Sequence, residues 1–327
     1  MESSLHPGSL VSRSDSEALI AAIERATVDP RAGIFGPASM SWRINRESAL
    51  FLGAARAALL QLAHPWVATA LQQHSSLLAQ PIARFHSTFR IVLAMVFGSL
   101  GQAMAAARHL YTVHTHIRGE MAEDVAAYPS GSRYEANEIA ALRWVYATLV
   151  ESAVLAYETV MPPLTANELA AYFAESQTLA GLFGLPAEEL PGDWSGFLGY
   201  CRAMEDSGLL GVSERARAMG HDLLGGAGSW IKPPRWYCAL TAEWLPERFR
   251  KEFGLHFNQE DRQAAERAKH WLPRAYRHLP QALRFIGPWH EAQARIRGRS
   301  AGVVGQLSNR FWIGQPLLPF PGGRGDG

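Results

Sequence analysis

Residues 84–119 read RFHSTFRIVLAMVFGSLGQAMAAARHLYTVHTHIRG. Arg84 and Thr88 are one helical turn apart, so a helix carries them on one face. A long apolar segment follows, and His114 then falls where a second helix could hold it. Ala, Leu and Met dominate the middle, and these are strong helix formers. One imidazole, one cation, one hydroxyl and enough apolar helix to wall off a pocket are the parts of a buried cofactor site with a single strong ligand. Neutral imidazole binds haem iron well, and a helix fixes its approach. The stretch can be read as two core helices around a buried cofactor pocket, with a haem site as one reading.

The rest of the chain agrees with a helical protein. Hydrophobic residues make up 48% and charged ones 19%, enough apolar material for a large core. Alternating runs of β-branched and aromatic residues are nearly absent. Ser14-Asp15-Ser16-Glu17 precedes an amphipathic run to Thr27, and Thr165-Ala166-Asn167-Glu168 is a capping-box pattern before Leu169 to Phe183, with Gly184 as its stop. Pro81 suits a helix start, Gly119 a helix end, and Tyr134 to Val160 reads as one long helix closed by Pro162-Pro163. We expect an all-α fold with one domain over 13–318. By composition the ends, 1–12 and 319–327, read as disordered.

Charge and cysteine content narrow the function. Lys and Arg number 31 against 30 Asp and Glu, so no basic excess argues for nucleic acid. Cys201 and Cys238 have no metal-ligand spacing, which makes a reducing compartment the expectation. The N-terminal MESSLHPGSLVSRSDSE has no apolar signal core, so a cytoplasmic setting is expected. Ala49 to Leu71 and Ile91 to Ala107 are apolar enough for a membrane check. The first carries Arg56, His64 and Pro65 and the second is short of a span, so buried core helices explain both more simply, with peripheral membrane contact left open. Dinucleotide, Walker, H-E-x-x-H, E-x-x-H and C-x-x-C-H patterns are all missing.

Each candidate also has an ordinary reading. His114 could be satisfied by a carbonyl near a helix end. On a helix it would share its face with Leu110 and Arg118, while His116 would point elsewhere, to the surface. Arg84 could be an exposed ion-pairing residue, and Thr88 could bond back to its own helix. His64, in Leu60-Gln61-Leu62-Ala63-His64-Pro65, reads as a structural histidine bonded to a carbonyl that Pro65 frees, or as an alternative ligand or a residue behind one. Arg43, Arg46 and Glu47 read as an ion-paired helix start. Trp144 and Tyr146 read as core, and Glu151 as either an inward polar partner or a solvated residue.

At these residues the chain resembles the shared catalytic domain of the rubber oxygenases (latex clearing proteins) and the membrane-associated oxygenase of mycophenolic acid biosynthesis. Phe35-Gly36-Pro37 with Ser41-Trp42-Arg43 and Glu47 is similar to the opening motif. Leu60 to Pro65 with Val67-Ala68, Arg84-x-x-x-Thr88, Val96-Phe97-Gly98, His114 with Arg118-Gly119, and Tyr134 with Trp144-Val145 follow in order. Gly184-Leu185-Pro186, Leu190-Pro191, Leu245-Pro246 with Arg248, and Leu283-Arg284 extend the likeness, which covers about residues 33–297.

The resemblance implies an all-α fold, globin-like at its centre, with non-covalent haem b and its iron. It implies His114 as proximal ligand, Arg84 and Thr88 as the distal arginine and threonine, and Arg118 as a helper near the histidine. The reaction it implies is dioxygen-dependent cleavage of an isoprenoid double bond. Two departures stand out. Ser87 stands where rubber oxygenases have a distal lysine that caps the iron in a closed state, and Tyr146 stands where many relatives have histidine. The expected substrate is a small apolar molecule, isoprenoid- or lipid-like, rather than polymeric rubber. Two rivals remain at this point: a haem or lipid carrier without turnover, and a helical enzyme that uses His64, Arg84 and Glu151 for acid–base work. Oligomeric state is open.

Overall fold

The computed structural model describes residues 9–74, 81–226 and 232–319, side chains of 81–85 aside. In chain order the helices are α1 (Arg13–Ala26), α2 (Met40–Asn45), α3 (Ala54–Leu62), α4 (Pro65–His74), α5 (Pro81–Phe97), α6 (Leu100–His116), α7 (Ile139–Val160), α8 (Ala166–Leu182), α9 (Trp194–Asp206), α10 (Glu214–Gly225), α11 (Arg235–Trp244), α12 (Glu247–Glu252), α13 (Gln259–Tyr276), α14 (Gln281–Arg284), α15 (Gly287–Ile296) and α16 (Val303–Ile313). Two short strands, β1 (Arg118–Glu120) and β2 (Arg133–Glu135), pair antiparallel with Gly119 opposite Tyr134. The fold is all-α.

Helix ends follow local chemistry. Thr165 and Glu168 form the expected reciprocal capping box on α8, and Gly184 after it has φ +87°. Ser12, two residues earlier than the pattern suggests, caps α1 by accepting the Asp15 N–H. Pro81 opens α5. Ser99 and Gln102 make a second capping box that starts α6 directly after Gly98.

α7 is the central helix and packs on α2, α3, α8, α9 and α13. Trp144 is fully buried, its indole N–H donating to the Leu60 carbonyl at 2.9 Å. Tyr146 is buried as well, 2.7 Å from the Ser176 hydroxyl. Each such side chain contributes roughly 1.5–3 kcal/mol of burial, and a satisfied polar tip avoids the cost of a stranded donor. By length and composition α7 could cross a membrane, but 61% of its apolar window is buried in the protein. The two segments that invited a membrane check are broken into α3 and α4, and into α5 and α6, all lining the core.

Three sequence readings change. Tyr134 is not in the long helix. It lies in β2, and α7 starts at Ile139 under a cap from Glu138. Gly119 does not end α6. The helix stops at His116, Ile117 turns extended, and Gly119 sits in β1. The expected disordered ends lie largely outside the described residues, yet residues 9–12 are held in place. Leu10 bridges Glu138, the Val11 N–H donates to the Asn137 carbonyl at 2.9 Å, and Val11 is buried.

Candidate functional site

α5 and α6 form an antiparallel hairpin about Gly98-Ser99. Arg84 lies 13 residues before the end of α5, and His114 lies 14 residues after the start of α6. At 1.5 Å per residue both stand about 20 Å from the joint. The hairpin thus brings Arg84 level with His114, with Thr88 one turn nearer the joint.

Facing of the α5 side chains follows from their partners. His86 Nε2 is 2.9 Å from the Phe311 carbonyl, and the Arg90 Nε–H donates to the Ile313 carbonyl at 3.2 Å. These residues turn one face of α5 to α16. Thr88, about 200° around the helix from His86, faces away from α16 and is exposed, as is Ser87. Further down the same stripe, Ile91 is partly buried and Met95 fully buried in the core that α5 and α6 share.

On α6, Ala103 and Ala107 are buried at the base of the hairpin, where small residues permit close helix approach. Leu110 and His114 continue that stripe, and both are partly buried. Leu110 packs against the α5–α6 core, whereas Tyr111 packs against the larger core built around α7. His114, one turn beyond both, sits over the seam between the two cores.

Arg118 differs from its expected place. Leu110 and His114 share a helical face, but Arg118 lies beyond the helix end, exposed at the start of β1 opposite Glu135. Its carbonyl is 3.1 Å from His74 Nε2 at the end of α4. The Tyr134 hydroxyl donates to Gln73 Oε1 at 2.6 Å. A Cβ on Gly119 would meet those two atoms at 2.6 and 2.5 Å, so glycine is required where β1 crosses α4. His116 is exposed, its Nδ1 2.7 Å from the Thr112 carbonyl.

His64 lies at the opposite end of α4, about 15 Å along the axis from His74. The structure does not group it with His114 and Arg118. It is 2% exposed and packs against Trp66 and Tyr128. Its Nδ1 has no hydrogen-bond partner. Burial holds its pKa down, to about 4, and the ring is neutral.

Sequence reasoning passed over a buried charge cluster. Arg56, inside α3, donates to Glu151 Oε2 at 2.8 Å, to Ser152 Oγ at 3.0 Å and to the Trp244 carbonyl at 3.0 Å, with Glu205 Oε1 3.5 Å away. Burial, reinforced by the Glu151 charge, pushes Glu205 up to about 7. The available signal was Arg56 itself: a cation within an apolar helix needs a counter-charge. Arg43 pairs with Glu168 and Glu47 with Arg284, so the expected local ion pairing at the α2 end is mostly long-range.

Among the described residues no three His, Cys, Asp or Glu side chains converge as ligands for a bare metal ion. One imidazole over an apolar seam is the kind of contribution a protein makes to a cofactor that brings most of its own ligands. Of the described residues in this hairpin, His114 is the one that could give such a cofactor a nitrogen ligand. Two cavities lie elsewhere: one of about 220 Å³ beside His221 and Cys238, and an apolar one of about 260 Å³ beside Tyr237, Tyr276 and Trp312.

The sequence profile of the family described as "ER-bound oxygenase mpaB/B'/Rubber oxygenase, catalytic domain" matches residues 42–284, well over half of the chain. No curated protein and no solved structure gives a match.

Proposed function

The chain belongs to the mpaB and rubber oxygenase catalytic-domain family, and from that premise we propose that it is a haem b-dependent oxygenase of a small apolar substrate, isoprenoid- or lipid-like, with His114 as the iron ligand. The observation that carries the reading is the α5–α6 hairpin. It sets Arg84 level with His114 and Thr88 one turn below, above a seam between two apolar cores. When bound, haem supplies the iron at which dioxygen is activated.

The chain's own residues have separable tasks. His114 would hold the iron through an imidazole nitrogen, from a helix end that Ile117 and β1 tie down, with the Ile117 N–H bonded to the His114 carbonyl at 3.1 Å. Arg84 would contribute a cation and Thr88 a hydroxyl donor to stabilise negative charge on bound oxygen. Ile91, Met95 and Leu110 exclude water from the base of the site. Ser87 offers no amine, so the lysine-gated closed state of rubber oxygenases is not expected here. Arg118, exposed at the start of β1, is suited to meet an anionic group at the rim, such as a haem propionate. We place the reaction in the cytoplasm, at or near a membrane.

The test is the visible spectrum of the full chain expressed with haem supplied, for wild type and His114→Ala. A Soret band lost or strongly shifted in the variant is expected. A colourless wild type would overturn the reading. An unchanged spectrum in the variant would move the ligand, with His64 next. Haem without substrate-dependent oxygen uptake across an isoprenoid and fatty-acid panel would point to a carrier.

A further inference from the structure

We propose that the outer face of α16, with Leu283 of α14 beside it, docks the protein on an anionic lipid surface. α16 is inverted relative to a helix at a water-facing surface. Its inward face carries Gly305, Asn309 and Ile313, all buried. Asn309 is 0% exposed, its amide donating to Glu291 Oε2 at 2.7 Å and to the Pro316 carbonyl at 3.1 Å. Its outward face carries Val303, Val304, Leu307 and Phe311, exposed by 72, 54, 59 and 47%. Leu283, on the adjoining α14, is 65% exposed. Contiguous apolar exposure of this kind marks a contact surface.

Charge decides the occupant. The whole chain is nearly balanced, yet residues 267–319 hold nine Lys and Arg against one acid, Glu291. That acid is buried under α16. Arg297 and Arg299 precede the helix in an exposed segment, and exposed Arg310 borders the apolar stripe. Among the described residues none of the three arginines has a carboxylate partner. An apolar helix face ringed by unpaired arginines is the pattern that inserts at the headgroup boundary of acidic lipid. The docked surface would lie beside α5, which His86 and Arg90 fasten to α16 and which carries Arg84 and Thr88. Delivery of an apolar substrate from lipid to that helix rests on the oxygenase reading; the docking itself does not.

The experiment is flotation of the full chain with phosphatidylcholine vesicles, with and without phosphatidylserine, for wild type, Leu307→Asp/Phe311→Asp and Arg297→Gln/Arg299→Gln. All four positions are exposed, so the fold is expected to survive, which a circular-dichroism melt checks. Wild type is expected to float with the acidic vesicles and to weaken with salt. The apolar variant is expected to lose more than about tenfold in binding, and the arginine variant about fivefold per charge. Wild type left unbound at excess lipid would overturn the proposal, as would both variants binding like wild type. A concentration-dependent dimer abolished by Leu307→Asp/Phe311→Asp, with no lipid binding, would instead make this face a contact between copies. Flotation is read without regard to the Soret band, so the two proposals fail separately.

Discussion

Arg284 forks the carboxylate of Glu47, Nε to Oε2 at 2.7 Å and Nη2 to Oε1 at 2.9 Å, across 237 residues of chain. Glu47 is 1% exposed and also accepts from the Tyr276 hydroxyl at 3.0 Å. The pair clasps the segment after α2 to α14, close to the two ends of the span that the family profile matches.

Breaking this clasp on one side strands a buried charge. Arg284→Met is expected to destabilise by about 3–5 kcal/mol, read as a lower urea midpoint at unchanged slope. Adding Glu47→Gln is expected to restore much of the loss. A double variant no better than the single would mean that the carboxylate was never the liability.

His64 governs stability on the acid side. Burial lowers its pKa from 6.5 to about 4, so the folded state resists a proton that the unfolded chain accepts. Its contribution is complete above about pH 6.5 and is lost as pH falls toward 4, on the order of 3 kcal/mol in all. His64→Phe keeps a ring and removes the unpartnered Nδ1. Relative to wild type it is expected to gain stability as pH falls from about 6.5 toward 4, measured by urea unfolding of both proteins at a series of pH values.

Glu205 acts in the opposite sense. Its folded pKa of about 7 lies above the ordinary 4.5, so burying the charged form costs stability as pH rises through that window. Glu205→Gln is therefore expected to stabilise at pH 8, on the order of 1–3 kcal/mol, with no gain near pH 4. Between about 4.5 and 6.5 the His64 and Glu205 slopes oppose each other. Each single variant is expected to reveal the other's slope in a profile that is otherwise flat.

Gly119→Ala tests the junction behind His114. The new methyl would meet Gln73 Oε1 and the Tyr134 hydroxyl, parting their 2.6 Å hydrogen bond. A loss of about 1–3 kcal/mol is expected, seen as a lower Tm, with partial relief in a Gln73→Ala background. An unchanged Tm would show that β1 can shift without cost.

Much of the fold was legible because its signals are short-range. The Thr165–Glu168 box, Gly184 and Pro81 act within one helical turn, and each stands where the pattern put it. Trp144 and Tyr146 were readable as core, and their buried hydrogen bonds agree. Errors arose where a local pattern competed with a distant partner. Tyr134 continues an apolar helical run, yet pairing with β1 and the bond to Gln73 hold it in a strand. Arg118 has helical spacing from His114, but the helix ends before reaching it. Glu151 could be read inward or outward until Arg56 was placed beside it.

The sequence by itself determined the all-α class, the family and the helices that carry His114, Arg84 and Thr88, because helix periodicity and caps act between residues three or four apart. Only the tertiary structure decided that the two helix ends stand level, that Glu47 meets Arg284, that His64 is buried at the far end of α4, and that α16 turns its apolar side outward. Those outcomes depend on which surfaces pack together. No spacing within one helix encodes the neighbour that will cover it.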